Sequence, residues 1–218
     1  MASVTYTVPD SASDGTVDEF EGGYSDTNTF MFVGSPGASP PANYGMGFRF
    51  TGVTLTGADT VTAVQIRLIK DTTEWLTVNH RWTAINEDNT AAFSSGSPPG
   101  ARAIVSASIA AEAVNVNHVN ATAYLFPTTG GLQTTFAAAI QTVLNRAGFG
   151  GALAVVCQSD QDASAQLGYN RETYSTWDAA GANTEPQLVV TYTPGAAGGK
   201  QPVRRRAPMR VWSRVRYA

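Results

Sequence analysis

The sequence predicts an all-β sandwich of the jelly-roll type, with one short helix and an extended C-terminal arm. Three observations carry that expectation. Apolar and polar residues alternate with a period of two in several short runs. Stretches rich in Gly, Pro, Ser and Asn separate those runs. Only one segment has an apolar stripe at helical spacing. Many short strands, long loops and a single helix suit two antiparallel layers.

The elements follow in order. Val4–Val8 (VTYTV) alternates and stops at Pro9. Asp10–Gly23 is acidic and rich in Gly and Ser, and reads as a loop. Its Asp10, Asp14, Asp18 and Glu19 match no calcium-loop spacing and read as solvated acids. Thr29–Val33 (TFMFV) is a short apolar strand, followed by a loop over Gly34–Asn43. Gly45–Val53 is a strand, and Thr54–Asp59 turns the chain. In Val61–Ile69, Val64, Ile66 and Leu68 face one way and Gln65 and Arg67 the other, which marks a half-buried strand. Leu76–Ile85 repeats the pattern, with Leu76, Val78, His80 and Trp82 on one face. Asn86–Gly100 reads as a long loop, Ala103–Ile109 as a weak strand and Ala121–Phe126 as a short one. Leu132–Arg146 is the helix: Leu132, Phe136, Ile140, Val143 and Leu144 form one stripe, and Gly148 is placed to stop it. Ala152–Cys157, Gln166–Tyr174 and Gln187–Thr193 are the closing strands.

Residues 1–194 form the predicted sandwich; residues 195–218 form a Gly-rich joint and a basic arm. The formal net charge of −3 hides an asymmetry. The sandwich holds all 17 acidic residues and seven basic ones. The arm holds the other seven basic residues and no acid, giving −10 against +7. Within it, Met209, Val211, Ser213, Val215 and Tyr217 alternate with Arg210, Trp212, Arg214 and Arg216. As a strand this stretch spans about 30 Å, with unpaired backbone that seeks a sheet edge. Arg204, Arg205, Arg206, Arg210, Val211, Trp212, Arg214, Val215, Arg216 and Tyr217 are therefore the expected partner-binding residues. The period of two favours a protein partner, because nucleic acid asks for charge without that periodicity. A solvated tail is the third reading.

At this point the sequence resembles a family. Gly47–Leu68 (GFRFTGVTLTGADTVTAVQIRL) is similar to a signature of the jelly-roll modules called DNRLRE-type or carbohydrate-binding-module-like. These occur in tailed-phage virion proteins and in secreted polysaccharide-associated proteins. The pattern there is R-F-x-G-V, an I-P-x-G-A turn, then I-x-x-A-x-L-x-L; here Thr56 replaces the turn proline. Ile85–Ser95, Val143–Phe149, Arg171–Tyr174 and Glu185–Tyr192 (EPQLVVTY) match further pieces. The resemblance covers nearly all of residues 1–193 and none of the arm. It implies a galactose-binding-like sandwich and brings no catalytic residues. It further implies a virion location, reached from the host cytoplasm; the N-terminus MASVTYTVPD shows no basic n-region and no apolar h-region, so no secretory signal is expected. Capsid or tail proteins are the expected partners, in a homo-oligomer for which a trimer is the family analogy.

Little else points to chemistry. His118 lies in a polar stretch, and His80 on an apolar strand face reads as a hydrogen-bonded core histidine. Cys157 lies in the apolar run ALAVVC and reads as an inert buried thiol. Glu74, Glu87, Asp88 and Glu172 read as loop or surface acids. No motif for a nucleophile, a zinc site or a phosphate loop is present, so neither cofactor nor metal is expected. No run is long and apolar enough for a membrane span. The alternative function is adhesion to surface glycans, with Trp75, Tyr169, Tyr174 and Trp177 as stacking platforms.

Overall fold

A computed structural model of the chain describes residues 1–18, 24–35, 44–71, 77–115, 119–159, 170–179 and 184–195. The predicted arm therefore lies outside the described residues, as do Trp75, His118 and Tyr169.

The chain is an all-β sandwich of two antiparallel sheets with one short helix. The smaller sheet has the order β1 (Ala2–Thr7), β12 (Gln187–Thr193), β6 (Thr60–Ile69), β9 (Ala123–Phe126). The larger runs β11 (Asn170–Ser175), β4 (Phe30–Ser35), β5 (Tyr44–Phe50), β10 (Leu153–Gln158), β7 (Thr77–Ala84), β8 (Ala110–Asn115). Two further strands join it: β2 (Asp14–Asp18) pairs with β5, and β3 (Tyr24–Ser25) pairs with β2.

Alternation places the core where the sequence expects it. Val64, Ile66 and Leu68 of β6 and Leu188 and Val190 of β12 are buried. Opposite them lie Met46, Phe48 and Phe50 of β5 and Val78, His80 and Trp82 of β7. Trp82 is the hub, with ring centroids 6.3 Å from Phe48, 6.2 Å from Phe126 and 6.2 Å from Phe136. Every residue of Leu153–Cys157 is buried because β10 is covered on both faces. Leu153, Val155 and Cys157 enter the main core, while Ala154 and Val156 pack with Ile85 and Phe93.

Helix α1 (Gly130–Leu144) packs on β6 of one sheet and on β7 and β8 of the other, closing one side of the sandwich. Its buried residues include the predicted Phe136, Ile140, Val143 and Leu144. It stops at Leu144, capped by Asn145, which donates its backbone N–H to Gln141; Gly148 plays no part in that cap.

Two local expectations change. Asp14–Asp18 forms β2 where a loop is expected, because its backbone pairs with Tyr44–Phe48 of β5. The strand expected at Ala103–Ile109 reduces to an isolated bridge at Ile104, and β8 forms at Ala110–Asn115 (AAEAVN) instead. Its alanines and glutamate carry no strand preference, and β7 supplies the pairing that they lack. Thr56, which stands where the resembled family has proline, donates its N–H to Asp59 Oδ2 at 2.9 Å and its hydroxyl at 3.1 Å. Proline would remove the first bond, so this turn is held by a different device.

Close packing reaches the backbone at Gly47 of β5. A Cβ there would lie 2.3 Å from Pro99 Cβ, in the short 3-10 turn Pro99–Ala101. Gly47→Ala is expected to lower stability by about 1–3 kcal/mol through overpacking. Gly96→Ala, in open space, should change it by less than about 0.5 kcal/mol. Urea denaturation of the two variants checks this.

Candidate functional site

Two buried carboxylates stand out; each has one oxygen without a hydrogen-bond partner, and they differ in the charges around them. The first is Glu172 on β11. Expected as a surface acid, it is fully buried, because its register opposite Val33 turns it inward. His80 Nε2 lies 3.1 Å from Glu172 Oε2, and the Tyr174 hydroxyl donates to the same oxygen. Lys70 Nζ lies 5.0 Å from the Tyr174 ring centroid. Burial pushes the Glu172 carboxyl up, but His80, Lys70 and Tyr174 outweigh it and hold the group below its ordinary value. Trp82, Phe126 and Tyr174 surround the His80 ring. His80 is thus a core histidine, as its strand face implied. Cys157 is also fully buried, and burial raises its thiol well above the usual range. All members of this cluster are sealed from solvent, so it holds the two sheets together and offers nothing to a ligand.

The second is Asp14, at the start of β2. It too is fully buried, a correction to its reading as a solvated loop acid. One oxygen, Oδ2, accepts the Trp177 backbone N–H at 2.8 Å; the other, Oδ1, has no hydrogen-bond partner. Burial pushes this carboxyl from 3.8 up to about 7. The Trp177 N–H opposes the rise, and the charges of Asp178, Asp10 and Asp26 add to it. Asp178 is itself raised, by burial and then by Asp26, and its Oδ2 has no partner.

Above Asp14 the surface is aromatic. Trp177 is 40% exposed and Phe30 36%. Phe30 pairs with Ser175, two residues before Trp177, and the turn is tied down by Thr176, which donates its N–H to Thr29 and its hydroxyl to Asn28. Phe30, Phe32 and Tyr44 continue as a ladder, with centroids 5.1 and 5.2 Å apart. The Arg171 guanidinium lies 4.1 Å from the Phe32 centroid.

No protein-family model and no curated protein matches the chain.

Of the four aromatics expected to stack on sugars, only Trp177 is described at the surface. Tyr174 is fully buried, so it has no ring face to offer: it shares the inward side of β11 with Glu172. Trp75 and Tyr169 lie outside the described residues, as do all ten partner-binding residues expected in the arm. Glu74 is outside them too, while Glu87 and Asp88 are paired with Arg102 and Arg146. Sequence reasoning missed Phe30, Phe32 and Tyr44. The alternation in TFMFV carried the signal, since Met31 and Val33 are buried and leave both phenylalanines on the opposite face.

Asp14 sets a pH dependence whose sign follows from its raised value. Below about pH 4 the carboxyl is neutral in both folded and unfolded chains, and imposes no penalty. As pH rises towards 7, the unfolded chain ionises while the folded one stays protonated, and stability falls. Asp14→Asn keeps an acceptor for the Trp177 N–H and removes the ionisation. Its melting temperature relative to the parent chain should rise between pH 4 and pH 8 and level off above about pH 7. Calorimetry across that range checks it.

Proposed function

We propose that this chain is a non-enzymatic structural protein of a phage virion: an accessory capsid decoration, fibre or tail-associated component. Residues 1–194 are a jelly-roll body turned outward, and residues 200–218 anchor it. The observation that carries this reading is the segregation of charge, −10 on the body against +7 on the arm. Two further features support it. The His80–Glu172 pair, the nearest approach to catalytic chemistry among the described residues, is sealed in the core. The chain also leaves the sandwich at a fixed point, where Gly195 donates its N–H to Asp59 Oδ1 at 3.1 Å. A Cβ on Gly195 would lie 2.1 Å from the Ala58 carbonyl oxygen, so the exit lies tight against the turn.

The glycan-adhesion alternative retains Trp177 and loses Tyr174 to the core. Anchoring is tested by stopping the chain after Gly195. The shortened protein should keep the melting profile of the sandwich and fall to background on purified particles assembled in its presence. Full occupancy without the arm would refute the anchor.

A further inference from the structure

Among the described residues, the charges that act most on Asp14 are those of aspartates: Asp178, Asp10 and Asp26. Asp14 is fully buried and aimed at the Trp177 turn, and its Oδ1 is unpartnered, as is Oδ2 of Asp178. Carboxylates gathered at reduced solvent exposure repel one another and favour a cation among them. The exposed rings of Trp177 and Phe30 narrow the choice. A flat guanidinium stacks on an aromatic face while its edge pairs with carboxylates; a metal ion or a compact ammonium uses the ring less well. The same sandwich already uses that chemistry, with Arg171 at 4.1 Å from Phe32 and Arg102 at 5.1 Å from Phe93.

The chain carries its own supply of guanidinium groups. Beyond the described residues, Arg204, Arg205, Arg206, Arg210, Arg214 and Arg216 follow one another with no acid among them. The two ends of β12 say how that supply meets the patch. The arm departs at the far end, where Gly195 meets Asp59. Asp10 belongs to the near end, since Val8 bonds Pro186 just before β12 begins. Seven residues of strand, roughly 20 Å, separate the two. Nine residues from Gly195 to Arg204 reach up to about 30 Å when extended, enough to span that distance on the same body or on a neighbouring one.

We propose that the arginine-rich arm of one copy docks on the aspartate–aromatic patch of a second copy. Guanidinium groups of Arg204–Arg206 lie over Trp177 and Phe30 and pair with Asp26 and Asp178, and their charge offsets that of buried Asp14. The inference rests on residues 200–218 acting as an anchor, and adds what the anchor holds. It gives the body's excess of acid a purpose, since copies at −10 repel until an arm intervenes.

Charge reversal in the full chain tests it. Light scattering with size exclusion at about 50 mM salt should show self-association of the parent that fades at about 500 mM. Arg204→Glu/Arg205→Glu/Arg206→Glu in one variant, and Asp26→Lys/Asp178→Lys in another, should each weaken self-association at least about tenfold. Mixing the two variants should restore association, because the reversed arm of one meets the reversed patch of the other. Unchanged melting curves guard against misfolding. A parent chain that stays monomeric at roughly 100 μM overturns the proposal, as does association that ignores either reversal. So does a monomeric chain held on a glycan array and released by Trp177→Ala, which gives the patch to a sugar. A monomer that still loads onto particles through its arm sinks this inference and leaves the anchoring role standing. Self-association through the patch, with particle loading indifferent to the arm, does the reverse.

Discussion

Glu172 is the constraint on which the rest of the sandwich depends. A carboxylate with no solvent exposure is tolerated only where partners surround it. Here they come from three strands: His80 from β7, Tyr174 from β11 itself, and Lys70 from the end of β6. β7 and β11 belong to the larger sheet, while β6 belongs to the smaller one. The requirement therefore fixes the spacing between layers and the register of β11 on β4. A slip of one residue would turn Glu172 and Tyr174 away from the core and point Arg171 and Thr173 into it in their place. It would also leave His80 in the core without its carboxylate. The register so fixed determines where the chain emerges after Ser175, and hence that Trp177 stands over Asp14.

The two buried acids then divide the molecule into what holds it and what it presents. Glu172 is held below its ordinary value because its partners outweigh the cost of burial. Asp14 is driven up to about 7 because one N–H does not offset burial, and three more aspartates add to the repulsion. Each keeps one oxygen without a hydrogen-bond partner, Oε1 of Glu172 and Oδ1 of Asp14, so what separates them is the charge around them: His80 and Lys70 beside Glu172, aspartates beside Asp14. The same amino-acid chemistry serves both ends, and only the surroundings differ.

Much of this was legible in the sequence, and the boundary of legibility is physical. β6, β7 and β12 read cleanly because one face of each is buried and the other solvated, which writes a period of two into the residues. The helix stripe was equally plain. β2 and β8 were not, because DGTVD and AAEAVN acquire strand geometry from their neighbours β5 and β7. The aromatics show the sharper limit. Tyr174 and Trp177 look alike in sequence, but parity along β11 sends Tyr174 into the core and the turn after it sends Trp177 out. Phe30 and Phe32 face outward for the same reason of parity, against the ordinary expectation that phenylalanine is core. That Asp14 is buried has no local signature at all: it follows from the pairing of β2 with β5 and the closure of a turn more than 160 residues later.

Arm and patch are different surfaces, so the proposed contact between copies would join unlike partners. Such a contact propagates: each body offers one arm and one patch, and a second body uses one of each while leaving one of each free. The geometry has two outcomes. If the rotation per contact divides a full turn, the last arm finds the first patch and a ring closes; otherwise the copies continue as a filament. Charge limits the growth, because every body adds −10 and every arm returns +7. A closed ring satisfies every patch at once, leaves no arm unpaired and spreads the remaining −3 per copy over its rim. An open filament of the same charge leaves an arginine-rich arm at one end and an unneutralised patch at the other. For the proposed docking, closure would thus be the state that electrostatics favours.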